Sequence, residues 1–202
     1  MAKDQLWYGD LIYADANGDG NYGDTNDMNF TGTSTQPRYN FGLNLSVAYK
    51  GFDFYMLWAG SAGFDLYWNH SSYNGTRTEN GFGISQRVAD NHYFYNPENP
   101  SDSRTNITAK YPRITDQTQR DNGTSSVFWK YKGDYVKLKN IQIGYTIPVK
   151  WTRKFMVEKL RFYFSGENLL TITSYPGLDP EMGTSITYPL TRQFAFGAQL
   201  SF

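Results

Sequence analysis

Apolar and polar residues alternate strictly in several parts of this chain, a pattern that predicts β-strands rather than helices. In Tyr39–Tyr49 every odd-numbered residue is apolar and every even-numbered one is small or polar. About 11 residues is the length that crosses a bilayer as a tilted strand. Aromatic residues at both ends of this segment are typical of the two membrane interfaces.

Four more segments follow the same pattern. Lys50 and Gly51 predict a tight turn into a second strand, 52–58, so that the two strands form a hairpin. Three further strands are predicted at 136–147, 160–169 and 190–202. Trp58 and Trp129 are expected as anchors at a membrane interface.

The segments between these strands alternate in length. Barrels of the outer membrane have short periplasmic turns and long extracellular loops, and the longer segments here all fall at one end of the predicted strands. We therefore predict an all-β fold, in which about five antiparallel spanning strands belong to a transmembrane β-barrel. Its parts are an extracellular loop at 1–38, a β-hairpin at 39–59, a long extracellular loop at 60–128, and three C-terminal strands within 129–202.

Composition narrows the class of protein. Lys and Arg balance Asp and Glu at 19 each, and this neutral charge argues against a nucleic-acid partner. With no Cys and two His, neither a disulfide framework nor a zinc site is expected. There is no run of 18 apolar residues and no apolar leader at the N-terminus. Aromatic residues are 18% although the mean hydropathy is −0.62, as expected when lipid-facing and lumen-facing residues alternate.

An Asp-rich segment is the candidate metal site. Asp15, Asn17 and Asp19, followed by Gly20, have the D-x-N-x-D-G form of a calcium loop, in which alternate oxygens converge on a hard cation. Because the flanking residues have strand character, a complete EF-hand is not expected. The candidate ligands of a structural calcium ion are Asp15, Asn17, Asp19, Asp24 and Asp27. An ordinary surface turn explains the same residues equally well.

No set of residues predicts catalysis. Asp179 and Glu181 are close in sequence but have no partner base in their Pro/Gly-rich turn. Flat aromatic faces in the loops are candidate ligand contacts, because they can stack on sugar rings. These residues are Tyr67, Trp68, Tyr73, Tyr93 and Tyr95. Packing within the loops is the alternative explanation.

Several sequence blocks together resemble the C-terminal end of the SusC/RagA family of TonB-linked outer-membrane receptors. They are GDLIYADANGDGNYGDTND, PRYNFGLNLSVAYKGFDFYMLWAGSAGFDLY, YVKLKNIQIGYTIP, LRFYFSGENLLTIT, YPGLDPEM and the terminal YPLTRQFAFGAQLSF. Gly197, Leu200 and Phe202 also resemble the terminal signal that directs barrel assembly. The resemblance covers most of the chain outside 68–128.

The resemblance implies that these antiparallel strands are the C-terminal strands of a large transmembrane β-barrel. It also implies a nutrient importer of the bacterial outer membrane, which takes up glycans or peptides and performs no bond chemistry. Its implied partners are outer-membrane lipid, a SusD-like surface lipoprotein, and TonB acting through an N-terminal region missing here. Because roughly eight strands are needed to close a barrel, we expect a fragment that does not transport by itself. The alternative is a soluble, calcium-dependent carbohydrate-binding β-sandwich, whose apolar strand faces would be buried between two sheets.

Overall fold

The structure is a computed structural model that describes residues 6–68, 83–115, 120–123, 125–188 and 190–202. The chain divides into two compact units. The sheet unit comprises Ser34–Leu66 and Tyr131–Phe202, and the loop unit comprises Met1–Thr33 and Tyr67–Lys130. In the described residues, no helix is both long enough and apolar enough to traverse a bilayer.

The sheet unit is built on one antiparallel sheet, in which five strands lie side by side in the order of the chain. The strands are β1 (Tyr39–Tyr49), β2 (Phe52–Ala62), β5 (Tyr135–Thr146), β6 (Lys159–Thr173) and β7 (Gln193–Ser201). Two short strands, β3 (Asp65–Tyr67) and β4 (Lys130–Lys132), pair with each other. The antiparallel five-stranded sheet predicted from the alternation is therefore confirmed, whereas closure into a barrel is not seen.

Strand limits differ from the sequence-based ones where alternation is a weak guide. The hairpin is longer than 39–59 because β2 continues through Gly60 and Ser61 to Ala62, paired throughout with β1. In contrast, β7 begins only at Gln193. Lys50 and Gly51 form the tight hairpin turn, and both have positive φ (49° and 88°). This backbone suits the right-handed twist of the paired strands.

A β-bulge in β5 corrects a break in the alternation. Leu138 lies opposite Trp58, and Asn140 lies opposite Leu57, so Lys139 is an extra residue in the strand. Because side chains alternate between the two faces of a sheet, one extra residue reverses the order on one side of it. Val136 and Leu138 are thereby kept on the same face as Ile141, whereas regular alternation would turn them to the opposite face.

The loop unit has its own small core. It contains α1 (Gln86–Asp90) and 3-10 turns at Thr25–Asp27, Arg120–Gly123 and Val127–Trp129. Val88, Tyr111 and Trp129 are buried together in it. Trp129 was expected as an interface anchor, and that expectation is wrong: its ring stacks on Tyr111, and its indole N–H donates to the Asn122 carbonyl. The sheet unit contains one more short helix, α2 (Val149–Thr152), between β5 and β6.

Candidate functional site

One face of the five-stranded sheet, here called the apolar face, carries no charge from β1 to β7. Residues paired directly across antiparallel strands point to the same side, so the register assigns each side chain to a face. Chains of opposed residues such as Val47, Phe54 and Ile143 are apolar throughout. The apolar face comprises Tyr39, Phe41, Leu43, Leu45, Val47, Tyr49, Phe52, Phe54, Met56, Trp58, Val136, Leu138, Ile141, Ile143, Tyr145, Leu160, Phe162, Phe164, Leu170, Ile172, Phe194, Phe196, Ala198 and Leu200.

Many side chains of the apolar face are exposed to the surroundings. Leu43 is 59% exposed and Phe196 is 84% exposed. A soluble sheet would cover such residues with a second layer. The exposed apolar face is thus a candidate interaction surface of the sheet unit, and its neighbour must itself be apolar.

The opposite face, here called the polar face, carries the charges of the five strands. Asp53 lies on it, together with Lys137, Lys159, Arg161 and Glu167, whereas Lys139 belongs to the bulge. A face of this composition suits a water-filled lumen.

An ion pair crosses the polar face above a glycine. Arg161 on β6 donates from Nε (2.9 Å) and Nη2 to the two carboxylate oxygens of Asp53 on β2. The pair spans β5 at Gly144, where a Cβ atom would lie 2.5 Å from Arg161 Nη2. In the same way the Tyr163 ring covers Gly197, and the Arg161 guanidinium lies 5.1 Å from that ring's centroid. These contacts link β2, β5, β6 and β7 across the polar face.

A second set of ion pairs attaches the turn after β6 to β5. Lys137 Nζ lies 2.5 Å from Asp179 Oδ2 and 2.9 Å from Glu181 Oε2, and Lys139 Nζ lies 2.6 Å from Glu181 Oε2. The Lys137 side chain is only 1% exposed. Asp179 and Glu181 therefore have cationic partners that sequence reasoning missed. The signal was two lysines in a strand and two acids in a later turn, but only the fold brings them together.

The four residues Lys137, Lys139, Asp179 and Glu181 are here called the clasp. The clasp determines the charge state of Glu181. Burial alone raises the pKa of the Glu181 carboxyl, since it disfavours the charged form. Hydrogen bonds from Lys139 and Lys137 outweigh burial, so the pKa lies below its usual value of 4.5. The clasp therefore holds Glu181 as a carboxylate.

In the Asp-rich segment the carboxylates bind the backbone of their own loop. Asp15 accepts hydrogen bonds from the N–H groups of Gly18, Asp19 and Gly20 at 2.6, 3.1 and 2.8 Å. Asp27 accepts from Ala16 and Gly23, each at 2.6 Å. These are the bonds by which Asp side chains stabilise turns.

Two of these carboxyls have lowered pKa values. A hydrogen bond from the Asn17 side chain lowers the pKa of Asp19. Burial opposes ionisation of Asp27, but backbone N–H donors, first that of Ala16, lower its pKa. Asp24 caps the adjacent 3-10 turn by accepting from Asn26 and Asp27. Within the described ranges, no group of three or more His, Cys or acidic side chains is arranged to hold a metal, and the calcium site stays a prediction.

The aromatic residues predicted as ligand contacts occupy different environments. Trp68 is 2% exposed, so its ring is in the interior and not available to a ligand. Tyr93 packs against Gly9, and Tyr95 lies edge-on to Tyr8 with ring centroids 5.2 Å apart. Tyr67 is half-buried and lines a cavity with Tyr13, Asp24, Asp27 and Met28 in the loop unit. Tyr73 lies outside the described residues.

A buried polar centre in the loop unit was not predicted. Asp10 has a side chain only 1% exposed and accepts from Arg113 Nε at 2.6 Å and from Asn122 Nδ2 at 2.8 Å. The Asn122 side chain in turn accepts from the Leu11 N–H, across 111 residues of sequence. This network joins three remote segments of the loop unit, and no local sequence signal identifies it.

The residues that resemble a barrel-assembly signal lie on or beside β7. Leu200 is on the apolar face opposite Leu160, and Gly197 is on the polar face beneath Tyr163. Phe202 follows the strand and is 81% exposed. Their part in assembly stays a prediction.

Among the known proteins similar in sequence to this chain are TonB-dependent receptors of the bacterium Formosa agariphila. The chain is 31% identical to TonB-dependent receptor P3 over 209 residues, which include 96% of this chain and 19% of the receptor. It is 27% identical to TonB-dependent receptor P39 over 215 residues, covering 100% of this chain and 20% of that receptor. The chain thus spans about a fifth of the length of these curated relatives. No protein-family model matches it.

Solved structures show the same fold. A chain of the RagAB peptide importer in its 'closed-closed' state matches with a TM-score of 0.59 and 25% identity, over 84% of this chain and 18% of that one. The same importer in its 'open-open' state matches with a TM-score of 0.60 and 24% identity over the same shares. The described sheet therefore corresponds to one segment of a much longer chain.

Proposed function

We propose that this chain, which is homologous to a part of the TonB-dependent receptors, forms the C-terminal barrel segment of an outer-membrane nutrient importer. TonB-dependent receptors reside in the bacterial outer membrane and are transporters, not enzymes. In the proposed arrangement the apolar face contacts lipid and the polar face lines the transport lumen.

The observation that carries this proposal is the separation of charge across the sheet. A Lys or Arg side chain that faces lipid near the bilayer midplane costs about 2–4 kcal/mol. None of the 24 residues named above as the apolar face is charged. Many of these side chains are exposed, as lipid contact requires. A soluble β-sandwich, the alternative, would bury them between sheets.

The free edges of the sheet support a larger barrel. β1 and β7 are the outer strands, each paired on one side only within the described residues. Lipid does not tolerate unpaired backbone groups, so both edges need neighbouring strands. We propose that the rest of a receptor supplies them, and that the segment alone does not transport.

The partners and cargo are proposed from the solved relatives. The RagAB structures are of a peptide importer, which favours peptide over glycan as the class of nutrient. We propose a SusD-like surface lipoprotein as the extracellular partner, and TonB as a partner of regions outside this segment.

Spin labels on single introduced cysteines test the proposed orientation. Because the chain has no cysteine of its own, each label attaches at one position. Labels are placed on β1 at Leu43 and Leu45 of the apolar face and at Asn44 and Ser46 of the polar face, in the chain refolded in detergent micelles, where water can reach the unpaired edges of the sheet. Collision rates with oxygen, which concentrates in lipid, and with a water-soluble nickel chelate are then measured. We expect high oxygen rates at Leu43 and Leu45, and nickel contact at Asn44 and Ser46.

A label at Lys110, exposed in the loop unit, is the control for contact with water. If Leu43 and Leu45 were shielded from oxygen and nickel alike, they would be packed against protein. That result would contradict the lipid-facing arrangement and favour the β-sandwich.

A further inference from the structure

The segment between β5 and β6, here called the connector (residues 147–158), exposes large apolar side chains. Trp151 is 67% exposed, Phe155 is 76% exposed and Met156 is 86% exposed. Met156 also has a φ of 58°, in the left-handed region that favours glycine. The connector therefore exposes three large apolar side chains within six residues of sequence.

The connector is also cationic. Lys150, Arg153 and Lys154 are all exposed, and among the described residues none of these three forms an ion pair. Lys159 at the start of β6 and Lys50 in the neighbouring hairpin turn add positive charge to the same end of the sheet. Glu158 is the acidic residue of the connector. The segment therefore combines unpaired cations with exposed aromatic and aliphatic surface.

The position of the connector joins this surface to the apolar face. Phe202 continues the series of apolar-face residues that ends with Leu200 on β7. Val149, Arg153 and Met156 line one depression together with Phe202. The Thr146 N–H donates to the Gly51 carbonyl at 2.7 Å, which places the hairpin turn at this same end.

We propose that the connector binds the headgroups of anionic phospholipids at the rim of the membrane. Lys150, Arg153 and Lys154 contact lipid phosphates, while Trp151, Phe155 and Met156 insert at the boundary between headgroups and acyl chains. This inference rests on the proposed membrane function. Lipid is the fitting occupant because the surface continues the apolar face, and because amphipathic aromatic residues and unpaired cations are what a membrane interface attracts.

The test measures lipid preference at Trp151. The chain, refolded in zwitterionic detergent micelles, is titrated with acyl-brominated phosphatidylglycerol or phosphatidylcholine, which quench nearby tryptophans. The difference in fluorescence quenching between the chain and its Trp151→Phe variant gives the quenching of Trp151. The corresponding difference for Trp58→Phe gives the quenching of a tryptophan on the apolar face. We expect half-maximal quenching of Trp151 at a concentration of phosphatidylglycerol about tenfold lower than of phosphatidylcholine, since each cation near a membrane surface strengthens binding severalfold.

A matched pair of charge variants tests the assignment. Lys150→Gln, Arg153→Gln and Lys154→Gln together should abolish the preference. The same change in charge at exposed Arg38, Lys110 and Arg192 should leave it intact. Raising the salt concentration should weaken the preference of the unaltered chain, because salt screens exposed charges. Met156→Gly, which suits the left-handed backbone, should weaken quenching by both lipids.

The outcomes separate this inference from the proposed function. Equal quenching of Trp151 by the two lipids, or equal loss in both triple variants, would overturn headgroup binding while Trp58 quenching still supported the membrane arrangement. If neither Trp58 nor Trp151 were quenched by either lipid, the proposed membrane function would fail as well.

Discussion

Lys137 and Asp179 are joined by an ion pair of 2.5 Å although 42 residues separate them in the sequence. Lys137 is on β5, and Asp179 is in the turn that follows β6. Glu181 shares Lys137 and is held by Lys139 as well. Through these contacts the clasp attaches the turn to the sheet.

Removing Lys137 should destabilise the sheet unit strongly. Lys137→Met leaves Asp179, whose side chain is 11% exposed, without its cation, and breaking a buried pair from one side costs about 3–5 kcal/mol. Lys139→Met is the matched control, because Lys139 is 25% exposed and partly exposed pairs contribute about 1 kcal/mol or less. Denaturant titration of the chain in detergent micelles measures both. Equal losses in the two variants would contradict a distinct contribution from the buried lysine.

The clasp should also make stability depend on pH. Because the pKa of Glu181 is lower in the folded state than its usual 4.5, its ionisation stabilises the fold above about pH 4.5, and this contribution is lost as the pH falls through the folded-state value. The groups that face it are Lys137, Lys139 and Asp179. We expect Glu181→Gln to lower the free energy of unfolding at neutral pH, with a difference from the unaltered chain that shrinks in acid.

Unfolding titrations at several values between pH 3 and pH 7 would follow this difference. Glu98→Gln removes one exposed acid from the loop unit and reports the effect of net charge alone. A Glu181→Gln difference that stayed constant over the range would rule out the ionisation of Glu181 as its source.

Gly144 should be needed for the ion pair between Asp53 and Arg161. A Cβ there would lie 2.5 Å from Arg161 Nη2 and 2.6 Å from Asp53 Oδ1, so Gly144→Ala must displace the ends of both side chains. We expect a loss of about 1 kcal/mol, the contribution of a partly exposed pair. Gly42→Ala on β1 is the control, since its Cβ would come no closer than 3.4 Å to the Trp58 carbonyl oxygen. The prediction fails if Gly144→Ala changes the free energy of unfolding neither in the unaltered chain nor after Arg161 has been changed to Met.

The Asp-rich segment should bind calcium if its oxygens can leave their backbone donors. Asp15→Asn weakens both the candidate ligand and the loop's own hydrogen bonds, so we expect it to abolish the binding heat in calorimetric titration with calcium. Asp102→Asn is the control, because Asp102 is a carboxylate of another loop, held by Arg104. If titration of the unaltered chain with calcium gives no binding heat, the segment is a surface turn.

Alternation along the sequence was sufficient for much of the sheet. Tyr39–Tyr49 is a strand with the predicted limits, and Lys50 and Gly51 form the predicted turn. These features are local, because the face to which a side chain points and the backbone of a tight turn depend on adjacent residues. The resemblance to TonB-linked receptors, carried by several separated blocks, is confirmed by the homology.

Tertiary structure decided what depends on residues distant in sequence. The bulge at Lys139, which keeps Val136 and Leu138 on the apolar face, exists only relative to the neighbouring strand β2. The burial of Trp129, expected at a membrane interface, follows from its packing on Tyr111 and its hydrogen bond to Asn122. Lys137 is paired with Asp179 and Glu181 because the turn after β6 lies against β5. The pattern of the chain thus determined which residues form strands and which way they face, while long-range contacts decided how its charges are paired, because the energy of a pair depends on distance in space and not along the chain.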